Sequence, residues 1–476
     1  MNVRYFHWLI KPRNNEEGTT GTTGPISILL LILAIYLLSA SGRVGISDAG
    51  SMLELSRSAL HGQFNISESA THVIGADGKP YCHYGILTSL IWIPFVLLGR
   101  LAHSFWPIIA QSQWEEFFVS FSLCFVVVAI LGYLAWEWQR LGVDNRNIRK
   151  YLLVVGFTTM LWPFAKIPMS EPLMALGLFA AYCHWQRSSS SPKHAMAAGL
   201  WLGIALLSRK QAQAVIPVML LAFLFIPQAK ATLSRFMFLL CGMAPSVLIQ
   251  LAYNQHRWGS PFVEKYAGAE SLKLPGITDW ATRCFLLLFG DYCGFFVYNI
   301  LLLIILVLGF CEWRKRHLHL LIFVIILTLS QVIFIAQFPF WLQGITFGPR
   351  YFLYFIPFLA LGVAYLPSAL TGLQRGLLYS SVAIAIAIQF LGVCTDPLAA
   401  FWRRELYERP DSSIFMARFH EIQRQVGLDK TPPDMDKPNA KIYWTHPTFQ
   451  TPDFWWWHAW YMLKETNGRH VIPPFE

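Results

Sequence analysis

Thr346-Phe347-Gly348-Pro349-Arg350-Tyr351-Phe352-Leu353-Tyr354-Phe355-Ile356-Pro357-Phe358-Leu359 sets one arginine at the mouth of an apolar run. Just before it stands an aromatic stretch, Phe338-Pro339-Phe340-Trp341-Leu342-Gln343-Gly344. A guanidinium at the end of a membrane helix suits the gripping of a phosphate at a bilayer surface, because its planar fork meets two phosphate oxygens at once. A helix beginning at Arg350 would add its positive end to that attraction. What this arginine serves depends on what else shares its side of the membrane.

The rest of the chain says that there is a membrane. Of 476 residues, 55% are hydrophobic and 13% charged, and the mean hydropathy is +0.44. That composition belongs to a polytopic, all-α membrane protein, since a span needs roughly 20 apolar residues. Spans are expected near 25–41, 115–138, 150–165, 171–186, 194–208, 212–227, 233–253, 294–311, 317–336, 350–367 and 376–395. The first run is too long, and lacks a small-residue cleavage site, to be a removed signal peptide.

One more apolar run, 84–109, decides the topology. If it spans, the basic cluster Arg140, Arg146, Arg149, Lys150 and the cluster Arg314, Lys315, Arg316 both fall opposite the amino terminus, against the positive-inside tendency. If it lies flat on the outer interface, every alternate short loop is basic and cytoplasmic. Pro94, His103 and Pro107 also suit a broken interfacial helix. The expectation is therefore about eleven spans, with a cytoplasmic segment 1–24, a membrane domain 25–395 and an outward aromatic-rich region 396–476. Outer loops then cover 42–114 and 254–293. The formal charge of +10 is mostly topology, and basic residues confined to short loops give no nucleic-acid surface. The eight cysteines show no metal-ligand spacing. Cys82, Cys284 and Cys293 fall near the outer face, where a disulfide would be chemically allowed.

Five groups collect on that face. Asp48 opens a helical pattern that runs through Leu60 and stops at Gly62; it is either an N-cap or a general base at the water interface. Lys166-Ile167-Pro168-Met169-Ser170-Glu171-Pro172 joins two spans, with Ser170 and Pro172 suited to a helix start. A lysine and a glutamate there need solvent or partners. Ser208-Arg209-Lys210-Gln211 is basic on the outward side, which suits an anion or snorkelling to headgroups. Tyr253 to Tyr266 interleaves Arg257, Glu264 and Lys265 with aromatics around Gly259-Ser260-Pro261. Arg350 is the fifth.

These motifs resemble the GT-C glycosyltransferases, in particular the bacterial relatives of protein O-mannosyltransferases and of the aminoarabinose transferase that modifies lipid A (family 39-like). The resemblance covers about 25–367. It rests on Asp48 after the first span, Gly78-Lys79-Pro80-Tyr81-Cys82-His83-Tyr84-Gly85, Ser170-Glu171-Pro172, the set Asn254, Arg257, Gly259, Ser260, Pro261, and Gly348-Pro349-Arg350-Tyr351. Two departures stand out: no second acid follows Asp48, and Glu171 stands where many relatives have aspartate. The resemblance implies transfer of a sugar from a polyprenyl-phosphate-linked donor to a lipid, glycan or protein acceptor, at the periplasmic face of a bacterial inner membrane. Asp48 would be the base of a single inverting displacement, with Glu171 as the second acid. Arg350, with Lys265, Arg209, Lys210 and His83, would hold the donor phosphate; Tyr84, Arg257, Tyr266 and Tyr351 would line the substrate. No organic cofactor is implied, and a divalent cation would find only two well-separated carboxylates. The rivals are a flippase for a lipid-linked sugar, which would not need Asp48, and a non-catalytic scaffold. No internal repeat of the transporter kind is visible.

The topology makes a direct prediction. Single cysteines placed near residues 110 and 270 should react with an impermeant maleimide added outside, and those near 145 and 315 should not. Outside labelling at 145 would overturn the shared face.

Overall fold

The computed structural model describes residues 24–459, apart from 46, 69–70, 226–232, 266–274, 339–340, 343–345, 368, 408–413, 429–431, 434, 438–439 and 446–451. Tyr266 and the end of the aromatic tail lie outside the described residues. The architecture is helical, with one two-stranded hairpin. After α1 (Pro25–Ser39) come α2 (Ser47–Ala59), β1 (His72–Ile74) paired antiparallel with β2 (Pro80–Cys82), α3 (Ile86–Phe105) and α4 (Gln111–Ser120). Then follow α5 (Ser122–Arg140), α6 (Asn145–Thr158), α7 (Leu161–Lys166), α8 (Glu171–Gln186), α9 (Pro192–Ser208), α10 (Ala212–Phe225) and α11 (Leu233–Trp258). The remainder is α12 (Ile277–Phe289), α13 (Phe295–Tyr298), α14 (Ile300–Ile335), α15 (Phe355–Ala360), α16 (Gly372–Cys394), α17 (Pro397–Tyr407), α18 (Ile414–Gln425) and α19 (Ala440–Thr445).

Local chemistry sets the boundaries. Proline occupies the first turn of α1, α8 and α9, where its missing N–H is harmless. Asp144 accepts from the Asn147 amide to start α6, and Thr371 with Gln374 forms a reciprocal capping box on α16.

Among the described residues five helical stretches are long and apolar enough to cross a membrane: 86–105, 111–140, 233–258, 300–335 and 372–394. Several expected spans are shorter helices, and two of them, 294–311 and 317–336, join in α14 through a kink at His317 (φ −145°, ψ 57°). The run 84–109 is not broken: α3 continues through Pro94. Its length would let it cross. It also packs with α2 and α4 around Glu115, whose carboxylate accepts from Arg57 Nε (2.6 Å), Arg100 Nε (3.0 Å) and Gln111 Nε2 (2.9 Å).

The stretch 350–367 corrects a second expectation. No continuous helix starts at Arg350. A 3-10 turn at Arg350–Phe352 leads into the six-residue α15 and a second 3-10 turn at Leu361–Tyr365. Pro357 lacks an amide proton, and the side chains from Phe352 to Tyr354 are fully buried. Irregular backbone is tolerated at membrane depth only inside such a protein wrapping. The helix-dipole support for Arg350 is therefore absent.

The carboxyl-terminal region docks onto the bundle. Trp455 Nε1 and Trp456 Nε1 donate to the carbonyls of Leu37 and Leu38 at 3.0 and 2.9 Å, at the end of α1. The ring of Trp455 also meets Phe117 and Phe121 edge-on. Beside it, Lys166 Nζ pairs with Asp453 Oδ2 at 2.6 Å and donates to the carbonyls of Val393 and Asp453. Arg43 binds Asp396 (2.7 Å) and Asp453 (3.1 Å). The described part of the tail, Phe454–Ala459, thus packs on the helices. All eight cysteines are free, so the outer-face disulfide is not formed.

Helices α9 and α11 cross at backbone contact. A Cβ on Gly199 would stand 1.8 Å from the Leu239 oxygen, and one on Gly242 would stand 2.0 Å from the Met196 oxygen. Small residues let membrane helices approach this closely. Gly199→Val and Gly242→Val should each lower the thermal midpoint of the detergent-purified protein by several degrees. Gly132→Ala, whose Cβ would meet only Leu29 Cδ1 at 3.9 Å, should leave it within a degree or two.

Candidate active site

Four charged side chains from four parts of the chain meet in one cluster. Arg350 Nη1 donates to Asp48 Oδ2 at 2.7 Å, across 302 residues of sequence. Glu171 Oε1 lies 3.0 Å from Arg209 Nη1 and 3.6 Å from Arg350 Nε. These two contacts are of charge rather than of aligned hydrogen bonds, and neither Glu171 oxygen has a hydrogen-bond partner. Arg209 Nη1 instead donates to Ser170 Oγ at 2.9 Å, so Ser170 serves the arginine and not, as its position suggested, the helix amides. The Glu171 residue is wholly buried, Arg209 and Arg350 are 5% and 7% exposed, and Asp48 is 8% exposed. Two carboxylates against two guanidiniums make a cluster that is neutral as a whole, which is what lets it exist out of water.

Aromatic rings wall the cluster. The Tyr351 ring lies 5.0 Å from the Arg209 guanidinium and 5.1 Å from that of Arg350. Its carbonyl accepts from Gln211 Nε2 at 2.8 Å. Tyr84 lies 6.0 Å from Arg209 and hydrogen-bonds Asp48. Burial pushes the Asp48 carboxyl upward, but the charge of Arg350, the bonds from Tyr84 and Arg350, and the charge of Arg209 together hold it below the usual aspartate range.

Two glycines bring these parts together. The β2–α3 turn carrying Tyr84 lies against the end of α9, where a Cβ on Gly85 would come 2.2 Å from the Leu207 oxygen. Gly348 turns the chain at φ +65° with the Tyr298 ring beneath it, and delivers Arg350 two residues later.

The other predicted residues form a second group beside the first. His83 is buried, its Nδ1 2.7 Å from the Thr71 carbonyl oxygen and its ring 4.0 Å from Tyr84. Burial pushes it down to about 4, leaving it uncharged at neutral pH. Lys210 pairs with Glu264 at 2.8 Å and also donates to the Lys265 carbonyl. Burial lowers its affinity for a proton, and Glu264 works against that. Lys265 is exposed, with Nζ 3.4 Å from the Ile74 carbonyl and 5.7 Å from the Trp258 ring. It stands with Lys210 and Trp258 rather than at Arg350. Arg257 is fully buried and committed to structure: it donates to the Cys82 carbonyl (2.8 Å) and Asn254 Oδ1 (2.9 Å), and stacks on Tyr253 and Trp258.

Sequence reading missed Ser170 as an acceptor, Gln211 and Met169, whose sulfur lies 3.8 Å from Arg350 Nη1. Each sits beside a residue that was singled out, and only the fold shows which way it turns. Among the described residues no three His, Cys, Asp or Glu side chains converge as metal ligands.

The Asp48–Arg350 contact couples its two ends energetically. Asp48→Asn and Arg350→Gln should each destabilise the protein, and the double variant should be less destabilised than their sum by about 1–3 kcal/mol. Additivity within about 0.5 kcal/mol in a thermal or chemical unfolding cycle would show that the pair is not formed.

No family model matches the chain, and no curated protein matches it. Solved structures do resemble it. ArnT from Cupriavidus metallidurans in the apo state shares 13% identity, with a TM-score of 0.49 over 94% of this chain and 88% of that one. ArnT from the same organism bound to undecaprenyl phosphate shares 11% identity at a TM-score of 0.47, over 94% and 89%. The archaeal oligosaccharyltransferase AglB from Archaeoglobus fulgidus, in complex with an inhibitory peptide and a dolichol-phosphate, shares 12% identity at 0.42. The match covers 87% of this chain and 61% of that one.

Proposed function

We propose that the chain is a membrane glycosyltransferase that moves a sugar, with inversion, from a polyprenyl-phosphate-linked donor to a lipid, glycan or protein acceptor at the outer face of a bacterial inner membrane. The observation that carries this reading is the closed cluster of Asp48, Glu171, Arg209 and Arg350. It puts a carboxylate beside two guanidiniums whose forks suit a phosphate. The motifs around Asp48, Tyr84, Glu171, Arg257 and Arg350, which resemble those of GT-C enzymes, point the same way.

The chemistry asked of these residues is simple. The acceptor's O–H or N–H gives its proton to Asp48 as the freed lone pair attacks the anomeric carbon. The bond from that carbon to the phosphate oxygen breaks, and its electron pair leaves with the polyprenyl phosphate. Arg350 and Arg209 stabilise the charge that grows on the leaving oxygen, where preorganised donors act most strongly. Glu171 keeps both arginines in place. Tyr84 and Tyr351 wall the place the sugar would occupy, and Lys210 with Lys265 raises the positive potential at the rim.

The test is turnover of lipid-linked sugar by the purified protein in lipid nanodiscs, using donor extracted from the host membrane. Asp48→Asn should lower the rate by roughly 100-fold or more while polyprenyl-phosphate binding persists. Arg350→Lys should lose less than Arg350→Ala, which should cost about 2–4 kcal/mol of transition-state stabilisation. Near-normal turnover in Asp48→Asn would overturn the assignment of the base. Movement of the lipid-linked sugar across the bilayer without its consumption would make the chain a flippase.

A further inference from the structure

We infer that the donor's phosphate and Asp48 compete for the same guanidinium, so that arrival of the donor is what frees Asp48 to act as a base; this rests on the glycosyltransferase reading above. A guanidinium offers two two-pronged edges, one of Nη1 with Nη2 and one of Nε with an Nη. In Arg350 the first edge has Nη1 bonded to Asp48 Oδ2 at 2.7 Å. The second has Nε facing Glu171 Oε1 at 3.6 Å. Each edge thus has one prong turned to a carboxylate, and a phosphate cannot take either edge with both prongs until a carboxylate yields.

Asp48 is the one that yields. Glu171 has a fully buried side chain, and Arg209 holds it at 3.0 Å whatever Arg350 does. Moving Glu171 away would strip a buried carboxylate of its cations and take from Arg209 the carboxylate it is paired with. The Asp48 side chain is 12% exposed, against 0% for Glu171, and sits in the first turn of α2. When Arg350 turns to phosphate, Asp48 keeps the Tyr84 bond but loses its strongest cationic neighbour.

That loss makes it a better base. Burial alone favours the protonated form, and the charge of Arg350 is the largest influence opposing it. The other groups that feel Asp48 are Arg209 and Tyr84, with Cys82 at the end of β2 and His83 just after it, and Glu171 lies across Arg350. Neither His83 nor Cys82 carries charge at neutral pH to replace what Arg350 withdraws. In the displacement the acceptor's proton then goes to the freed carboxylate. The bond between acceptor oxygen or nitrogen and the anomeric carbon forms as the carbon–phosphate-oxygen bond breaks, and the electron pair stays on the phosphate held by Arg350. When the phosphate leaves, Arg350 returns to Asp48, which releases its proton to solvent. The two carboxylates therefore divide the work: Glu171 is a fixed counter-ion that positions, and Asp48 is a displaceable one that reacts.

Two measurements on the full chain test this. Undecaprenyl phosphate is titrated onto wild type, Asp48→Asn and Glu171→Gln in detergent, and the wild-type complex with the same lipid is solved. Asp48→Asn should bind roughly tenfold more tightly than wild type, because the competitor is gone, while Glu171→Gln should show no gain. In the complex the Arg350–Asp48 contact should be open. A bound phosphate with the pair still closed, equal or weaker binding by Asp48→Asn, or an equal gain in Glu171→Gln would overturn the competition and leave the glycosyltransferase reading intact. Absence of both lipid binding and turnover in wild type would overturn the two together. Should Asp48→Asn fail to fold, the wild-type complex alone decides.

Discussion

A charge that is buried in an apolar helical bundle must be neutralised by its opposite, because an isolated ion there costs several kcal/mol. That constraint organises this molecule at both ends. Glu171, with no exposure, holds Arg209 and Arg350. At another level Glu137, equally buried, takes Arg140 (2.5 Å) and Arg187 (2.8 Å). Lys166, 1% exposed, takes Asp453. Apart from Glu137–Arg140, which lies within α5, each pairing fixes the relative placement of separate helices or segments. In the cluster of candidate catalytic groups two acids face two arginines, with one of the acids at its edge. A neutral cluster of that kind is stable without a ligand and still able to trade one internal contact for an external one.

The contacts that create the cluster are made of backbone as much as of charge. At Gly85 and Gly348 the chain does what no side chain would permit, one by close approach to α9 and the other by a left-handed turn. Arg209 and Tyr84 belong together because the Gly85 turn rests on Leu207, and Arg350 reaches Asp48 because Gly348 reverses the chain above Tyr298. The strength of the ionic contacts therefore depends on packing that carries no charge at all.

Much of this was legible in the sequence. Apolar runs announce helices, since their physics is local and periodic. Asp48, Glu171, Arg209 and Arg350 were each conspicuous as charges at the ends of such runs, and the structure brings those four together. Loop charge grouped them without saying which would touch. Three things were hidden. The backbone at 350–367 breaks into two 3-10 turns on either side of α15, although the run reads as one helix. The kink at His317 fuses two runs in one helix, which composition does not reveal. Lys166 meets Asp453 from 287 residues away, and nothing in a polar, unperiodic tail marks one aspartate over another. Arg257 shows the converse: it sits in a conspicuous motif, yet its guanidinium is spent on the Cys82 carbonyl and Asn254. Chemistry-bearing residue types locate a region well, but only the partners say which of them is available.

The docking of Trp455 and Trp456 onto the last carbonyls of α1 has a consequence for how the protein is made. Helix α1 and a segment synthesised 418 residues after it lie side by side. Until the ribosome has released that segment, the end of α1 lacks its indole donors and Lys166 waits in the bundle without Asp453. This junction therefore closes well after α1 is made, and a chain that stops short of Asp453 leaves the membrane with an uncompensated charge of the kind that quality control removes.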